Sequence, residues 1–267
     1  MKRLFPLLFI LLLAPWFMAC AQRFNDDITG QDTVQIALVE HSLTSGLTST
    51  QESSRYYSSP VPEISGYVED NSGEEFPFRV YVTPEDQAIE AIAMQINGVE
   101  DAYKVAVQWT YVSEQELNHV ADKWLTPHEF LAGTPHYPSN PLKGEAVGDC
   151  EEQAHTLASL IRAEGIRPEE VRVALGEVRF GDEATGHAWV ELLTNGQWVA
   201  LDPGSGPYWD DKAGKLVSRR GMPFDYYANH TYPVLQIWAY YNDIYYYDPR
   251  DGSGNTPVSW LGDDSAK

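Results

Sequence analysis

The chain has only two cysteines in 267 residues, and beyond its N-terminus it has no apolar run long enough to span a membrane. One cysteine, Cys20, closes the N-terminal apolar segment, which leaves Cys150 alone for chemistry. A single remaining thiol forms no internal disulfide, so a disulfide-stapled fold is excluded. Cys150 also lacks the nearby cysteine partner of common structural zinc sites, and no pair of histidines has a zinc-site spacing. Basic residues are scarce: 18 Lys and Arg face 39 Asp and Glu, for a net charge of -21. Phosphate backbones would be repelled, so nucleic acid is a poor partner. The acidity reads as solubility or a saline setting. The stretch from Asp248 to Gly252 lacks the ligand rhythm and terminal glutamate of a calcium loop. No internal repeat is present, and neither a cofactor nor a metal is implied.

What is present begins with an export signal. Lys2 and Arg3 precede an apolar run from Leu4 to Met18, marginal against the roughly 20 residues a spanning helix needs and suited to a signal peptide. Two endings compete. Phe17-Met18-Ala19-Cys20 reads as a lipoprotein box whose signal ends at residue 19 and whose Cys20 is lipidated. Ala19-Cys20-Ala21 is also a small-x-small site that would release the chain at Gln22. The organisation expected is a signal over 1–21, a polar tether or partly ordered arm over 22–60, one domain over 61–250 and a polar tail over 251–267.

Hydrophobic periodicity divides the domain. Short helices are expected at Thr33–His41, Pro84–Ile96 and Glu114–Trp124, and a strand at Phe76–Val82. Ala102–Val112 reads as a helix entering a short strand. Three prolines and three glycines make 133–148 a loop that delivers the chain to Cys150. Ala154, Leu157, Ala158 and Ile161 then recur at helical spacing, with Gly165 as end cap. Val171–Phe180 reads as a strand with a bend or bulge at Gly176. His187–Leu193 and Gln197–Leu201 flank Asn195-Gly196, a strong hairpin signal. A basic patch at Lys215, Arg219 and Arg220 follows. Val234–Tyr241 and Ile244–Tyr247 are aromatic strands, and the segment from Asp248 is expected to fray.

The hairpin supplies a register. With Asn195 and Gly196 as loop residues, Thr194 pairs with Gln197, and counting outward places Trp189 opposite Asp202. His187 and Asp202 then become diagonal neighbours on one face, while Ala188, Val190, Leu192, Val199 and Leu201 line the other. Cys150 stands at a helix start, where unsatisfied N–H groups and the dipole favour a thiolate. Glu151 and Glu152 oppose that ionisation if they point inward. His155 lies about 140° around the helix from Cys150, and is expected to be a surface or packing residue rather than a partner of the thiol. A thiol, an imidazole and a carboxylate on compatible faces suggest nucleophile, base and orienter.

Three motifs in order carry a resemblance. Gly148-Asp149-Cys150-Glu151-Glu152-Gln153-Ala154 resembles the nucleophile motif of transglutaminase-like proteins. Gly186-His187-Ala188-Trp189-Val190-Glu191 resembles their histidine motif, and Trp198-Val199-Ala200-Leu201-Asp202-Pro203 their aspartate motif. Trp109-Thr110-Tyr111-Val112 and Trp124-Leu125-Thr126-Pro127 are similar to bacterial transglutaminase-like cysteine peptidases. The resemblance implies an α+β fold with a papain-related core, its cysteine-bearing helix packed against an antiparallel sheet. It implies Cys150 as nucleophile, His187 as base and later acid, and Asp202 as orienter.

Family resemblance leaves the reaction open among peptidases, amidases, acyl transferases and non-catalytic relatives. Hydrolysis of peptide or amide bonds through a thioester leads, because no accessory domain is identifiable. A protein-glutamine acyltransferase is the first alternative, and a non-catalytic binding or assembly module the second. An accessible thiol near His187–Asp202 would favour an enzyme, and a blocked one the binding module. Trp124 is a candidate second oxyanion donor and Trp189 a candidate cleft wall. The partners expected are a peptide or protein substrate, a cell-envelope component and, through Cys20, a membrane. Such a protein would be periplasmic, an outer-membrane lipoprotein, or secreted.

Overall fold

A computed structural model describes residues 78–261. The leader with Cys20, the arm, the Thr33–His41 helix expectation and the last six residues lie outside the described residues. Short helices open the domain: α1 (Gln87–Ala93), α2 (Val99–Ala106) and, after strand β1 (Thr110–Tyr111), α3 (Glu114–Leu117). β2 (Val147–Gly148) leads directly into α4 (Cys150–Ala163). Three strands follow: β3 (Val171–Phe180), β4 (Glu183–Thr194) and β5 (Gln197–Leu201). β6 (Tyr208–Asp210), β7 (Lys215–Val217), α5 (Tyr226–Asn229), β8 (Val234–Tyr241), β9 (Tyr246–Asp248) and β10 (Ser253–Gly254) complete the order.

Six strands form an antiparallel sheet in the order β10-β9-β8-β3-β4-β5. Asn195 at φ 51° and Gly196 at φ 78° are both left-handed, as a type I′ hairpin turn demands. That turn sets Thr194 against Gln197 and Val190 against Leu201, the expected register. Ala188, Val190, Leu192 and Leu201 accordingly share a core with Ala154, Leu157, Ala158 and Ile161 of α4. Trp189 and Ala200 lie on the other face with Ala174, Val178 and Phe180. The architecture is α+β, a cysteine-bearing helix packed on an antiparallel sheet. A smaller four-stranded sheet, β2-β1-β6-β7, stands beside it, with β1 parallel to β2 and β6. Among the described residues no helix is long and apolar enough to cross a membrane.

Three expectations about elements are corrected. Arg79–Tyr81 is a 3-10 turn rather than a strand, entered through Phe78 at φ 79°. Tertiary packing overrides the alternation there, because the Phe78 ring sits 5.1 Å from Trp124 and 4.9 Å from Tyr241. α3 stops at Leu117 instead of running to Trp124, since His119 at φ 59° cannot continue a right-handed helix. The C-terminal segment docks through Trp260 instead of fraying at Asp248. Trp260 is buried, and its carbonyl accepts from Arg172. The Arg172 guanidinium also lies 3.9 Å from the Trp198 ring and 3.6 Å from that of Tyr240, and it pairs with Glu191 at 2.7 Å. An arginine enclosed by aromatic rings and a carboxylate makes a fixed anchor.

Candidate active site

The helix start at Cys150 is built by its neighbours. Asp149 is the N-cap and accepts from the Glu151 N–H at 3.3 Å. Glu152 reaches back to the Asp149 N–H at 2.9 Å, completing a capping box. The other Glu152 oxygen accepts from the Leu125 N–H at 2.9 Å, which ties the Trp124-Leu125 segment to the helix. Both glutamates point inward, and the Cys150 thiol donates to Glu151 Oε2 at 3.0 Å. The thiol therefore lies beside a carboxylate, which opposes a second negative charge there.

Buried carboxylates crowd this helix start. Glu114, Asp149 and Glu152 bring carboxylate oxygens within 4.8 Å of one another. Burial, then the Glu152 charge, pushes Glu114 up to about 9. Glu152 rises to about 7, chiefly through burial. Asp149 is raised by burial and by the charges of Glu151 and Glu152. An oxygen-only set of this kind could hold a hard cation, and without one it holds protons.

His187 and Asp202 come together as the hairpin register requires. His187 lies on β4, paired with Gly176 of β3, and Asp202 directly follows the last residue of β5. His187 Nε2 and Asp202 Oδ2 are 3.1 Å apart, with both side chains buried. The turn Pro203–Ser205 holds Asp202 in place: Ser205 Oγ donates to the Asp202 carbonyl at 2.7 Å. Arg219 Nε donates to the Gly206 carbonyl at 2.6 Å, so part of the basic patch serves to fix this turn. α4 packs against both β4 and the Pro203–Ser205 turn, which brings the helix of Cys150 to the strand of His187 and the turn of Asp202.

The remaining expected residues have other surroundings. Trp189 is fully buried, stacks on His187 at 6.1 Å and donates from its indole to Glu191 at 3.3 Å. It backs the imidazole instead of walling an open cleft. Trp124 packs edge-on to Tyr81 at 5.2 Å and near His155 at 5.3 Å. His155 is a packing residue, as one of the two expected roles had it. It stacks on Tyr81 at 5.0 Å and meets the Tyr241 hydroxyl at 2.7 Å. Burial pushes its imidazole down to about 3, so it stays neutral.

One residue beside the pair escaped the sequence reading. The Tyr232 hydroxyl donates to Asp202 Oδ2 at 2.8 Å. The one local signal is Pro233, which fixes the residue before it in extended backbone at the entry to β8. Nothing in the pattern pointed across thirty positions to Asp202. Glu114 begins a helix in the sequence pattern, and its burial depends on the fold around α4.

Residues 90–203, the segment that carries all three motifs, match the transglutaminase-like superfamily. Solved structures of LapG from Legionella pneumophila are also similar. The calcium-bound form is 14% identical, with 67% of this chain and 96% of that one covered and a TM-score of 0.39. The EGTA-treated form is 15% identical, with 68% and 93% covered and a TM-score of 0.40. No curated protein matches the chain. The superfamily match spans α4, β3, β4, β5 and Asp202, the elements that carry the cysteine, the histidine and the aspartate.

Proposed function

We propose that this protein is an exported cysteine-dependent hydrolase of peptide or amide bonds, with Cys150, His187 and Asp202 as its triad. The buried His187 Nε2–Asp202 Oδ2 contact carries the reading, together with a cysteine at the first position of α4. Asp202 fixes Nε2, which leaves Nδ1 as the imidazole atom for the thiol proton. In the reaction Cys150 gives its proton to His187 Nδ1, and the thiolate attacks the substrate carbonyl. N–H groups at the start of α4 stabilise the oxyanion. His187 then protonates the departing amine, leaving a thioester on Cys150. Water attacks next, His187 takes its proton, and the released carboxylate leaves the thiol restored. The substrate is a peptide or protein of the cell envelope, and lipidated Cys20 would hold the domain beside a membrane. Intact mass of protein from its native host tests that anchor: a mature form starting at Gln22 removes it.

The burial of Cys150 and His187, each 1% exposed, favours a second reading, a binding module on the same fold. Iodoacetamide labelling decides between them. In a working triad Cys150 alkylates well below the ordinary thiol pKa of about 8.5, and His187→Ala removes that reactivity. A thiol that labels only near its ordinary pKa, with no response to His187→Ala, leaves the binding module. Peptide libraries with and without a primary amine then separate hydrolysis from acyl transfer to the amine.

A further inference from the structure

We infer that Tyr232 is a positioning residue of this site, acting on His187 through the carboxylate of Asp202. The inference rests on the triad reading and adds a fourth side chain to it. Asp202 Oδ2 is shared: His187 Nε2 approaches at 3.1 Å and the Tyr232 hydroxyl at 2.8 Å. Two partners on one oxygen restrain the carboxylate's rotation. The tyrosine hydroxyl is neutral, so it stabilises the ionised carboxylate without adding a competing charge. It keeps its proton throughout.

Placement of that hydroxyl is over-determined by the fold. The Tyr232 ring packs at 4.8 Å from Trp189, 4.8 Å from Tyr227 and 6.1 Å from Phe180. Trp189 and Phe180 are also the rings that flank His187, at 6.1 Å stacked and 5.7 Å edge-on. Imidazole and phenol therefore share walls as well as an oxygen. The backbone is pinned on the far side, where the Pro233 carbonyl accepts from the Arg179 N–H at 2.8 Å and Val234 pairs with Val178. Tyr232 thus stands at the point where β8 joins the sheet. Tyr227, which packs on it, and Tyr103, whose hydroxyl donates to the Asp202 carbonyl at 3.4 Å, also lie close to Asp202. Burial, then the charge of Asp202, pushes both hydroxyls upward.

A carboxylate held this way keeps its orientation when the imidazole becomes imidazolium and when it returns to neutral. That matters because the tautomer with Nε2–H toward Asp202 is the one that exposes Nδ1 as a base. Packing alone would supply rigidity, but it would not change the acceptor strength of Oδ2.

Tyr232→Phe in the full chain tests this, because it keeps the ring and removes only the hydroxyl. The readout is the low-field proton resonance of His187 Nε2–H, with ring nitrogen shifts to report the tautomer. The expected result is a downfield move of that proton, since Oδ2 loses one donor and bonds the imidazole more strongly. Turnover of a library peptide should fall about ten- to a hundredfold in kcat with KM little changed. A folded Tyr232→Phe with the wild-type His187 resonance overturns the inference and leaves Tyr232 as packing. If the variant does not fold, wild-type protein labelled at tyrosine Cζ decides. Asp202→Asn should then move the Tyr232 resonance, and an unmoved resonance overturns the inference as well. Failure of the triad itself shows separately, as Cys150 labelling indifferent to His187→Ala.

Discussion

Two histidines in this chain have opposite fates, and single contacts decide each. His155 is enclosed by Tyr81, Trp124 and Tyr241 and has burial pushing it down to about 3, so it cannot take a proton near neutral pH. His187 is buried against a carboxylate, where a positive imidazole finds a partner. Asp202→Asn keeps the shape of that partner and removes its charge. The fold should survive, because a neutral amide is easier to bury than a carboxylate. Turnover should fall by about 10³- to 10⁴-fold, the scale seen when the orienting carboxylate of a triad is neutralised. Matching melting temperatures with unchanged turnover would remove Asp202 from the mechanism. His155 was legible as a surface or packing residue, from its spacing to Cys150. Its complete burial was not, since Tyr81 and Tyr241 approach from distant parts of the chain.

At the level of elements, the site depends on how closely β8 approaches β3. Gly176 faces His187 across one ladder and Ile237 across the other, and the β3–β8 register shifts between Leu175 and Gly176. A Cβ at 176 would collide with the Gln236 carbonyl, so glycine is needed for the close approach rather than for its dihedral freedom. Gly176→Ala should cost about 1–3 kcal/mol, typical of overpacking, read as a lowered urea midpoint. It should also disturb the Tyr232–Asp202 contact, because Tyr232 enters β8 two residues before its first strand position. An unchanged midpoint would mean that β8 moves away without cost. The bulge was legible from a glycine inside a strand pattern, and the hairpin from Asn195-Gly196. Both are local signals that the backbone obeys wherever it sits. The Phe78–Tyr81 turn and the docking of Trp260 were not legible, because ring packing and the Arg172 cage join segments far apart in sequence.

Across the whole molecule, buried titratable groups set two opposed slopes of stability against pH. His155 has a folded value of about 3 against an ordinary value near 6.5, so the unfolded chain binds the extra proton between them. That part of the stability is complete above about pH 6.5 and is lost as pH falls toward 3. Glu114 and Glu152 act in reverse, with folded values of about 9 and about 7 against ordinary carboxylate values near 4.3. Here the folded chain holds the extra protons, so their contribution is complete below about pH 4 and declines as pH rises through 7 and 9. The melting temperature should therefore pass through a maximum on the acid side of neutrality and fall on both flanks. Glu114→Gln keeps a buried polar group and removes its ionisation, so the alkaline decline should flatten while the acid flank stays. His155→Gln should flatten the acid flank and leave the alkaline one. A melting profile over pH 3–9 that neither substitution alters would show that these groups do not govern the pH response. The same acid cluster lies at the start of the Cys150 helix, so the alkaline decline should begin there, as local opening of α4 seen by hydrogen exchange ahead of global unfolding.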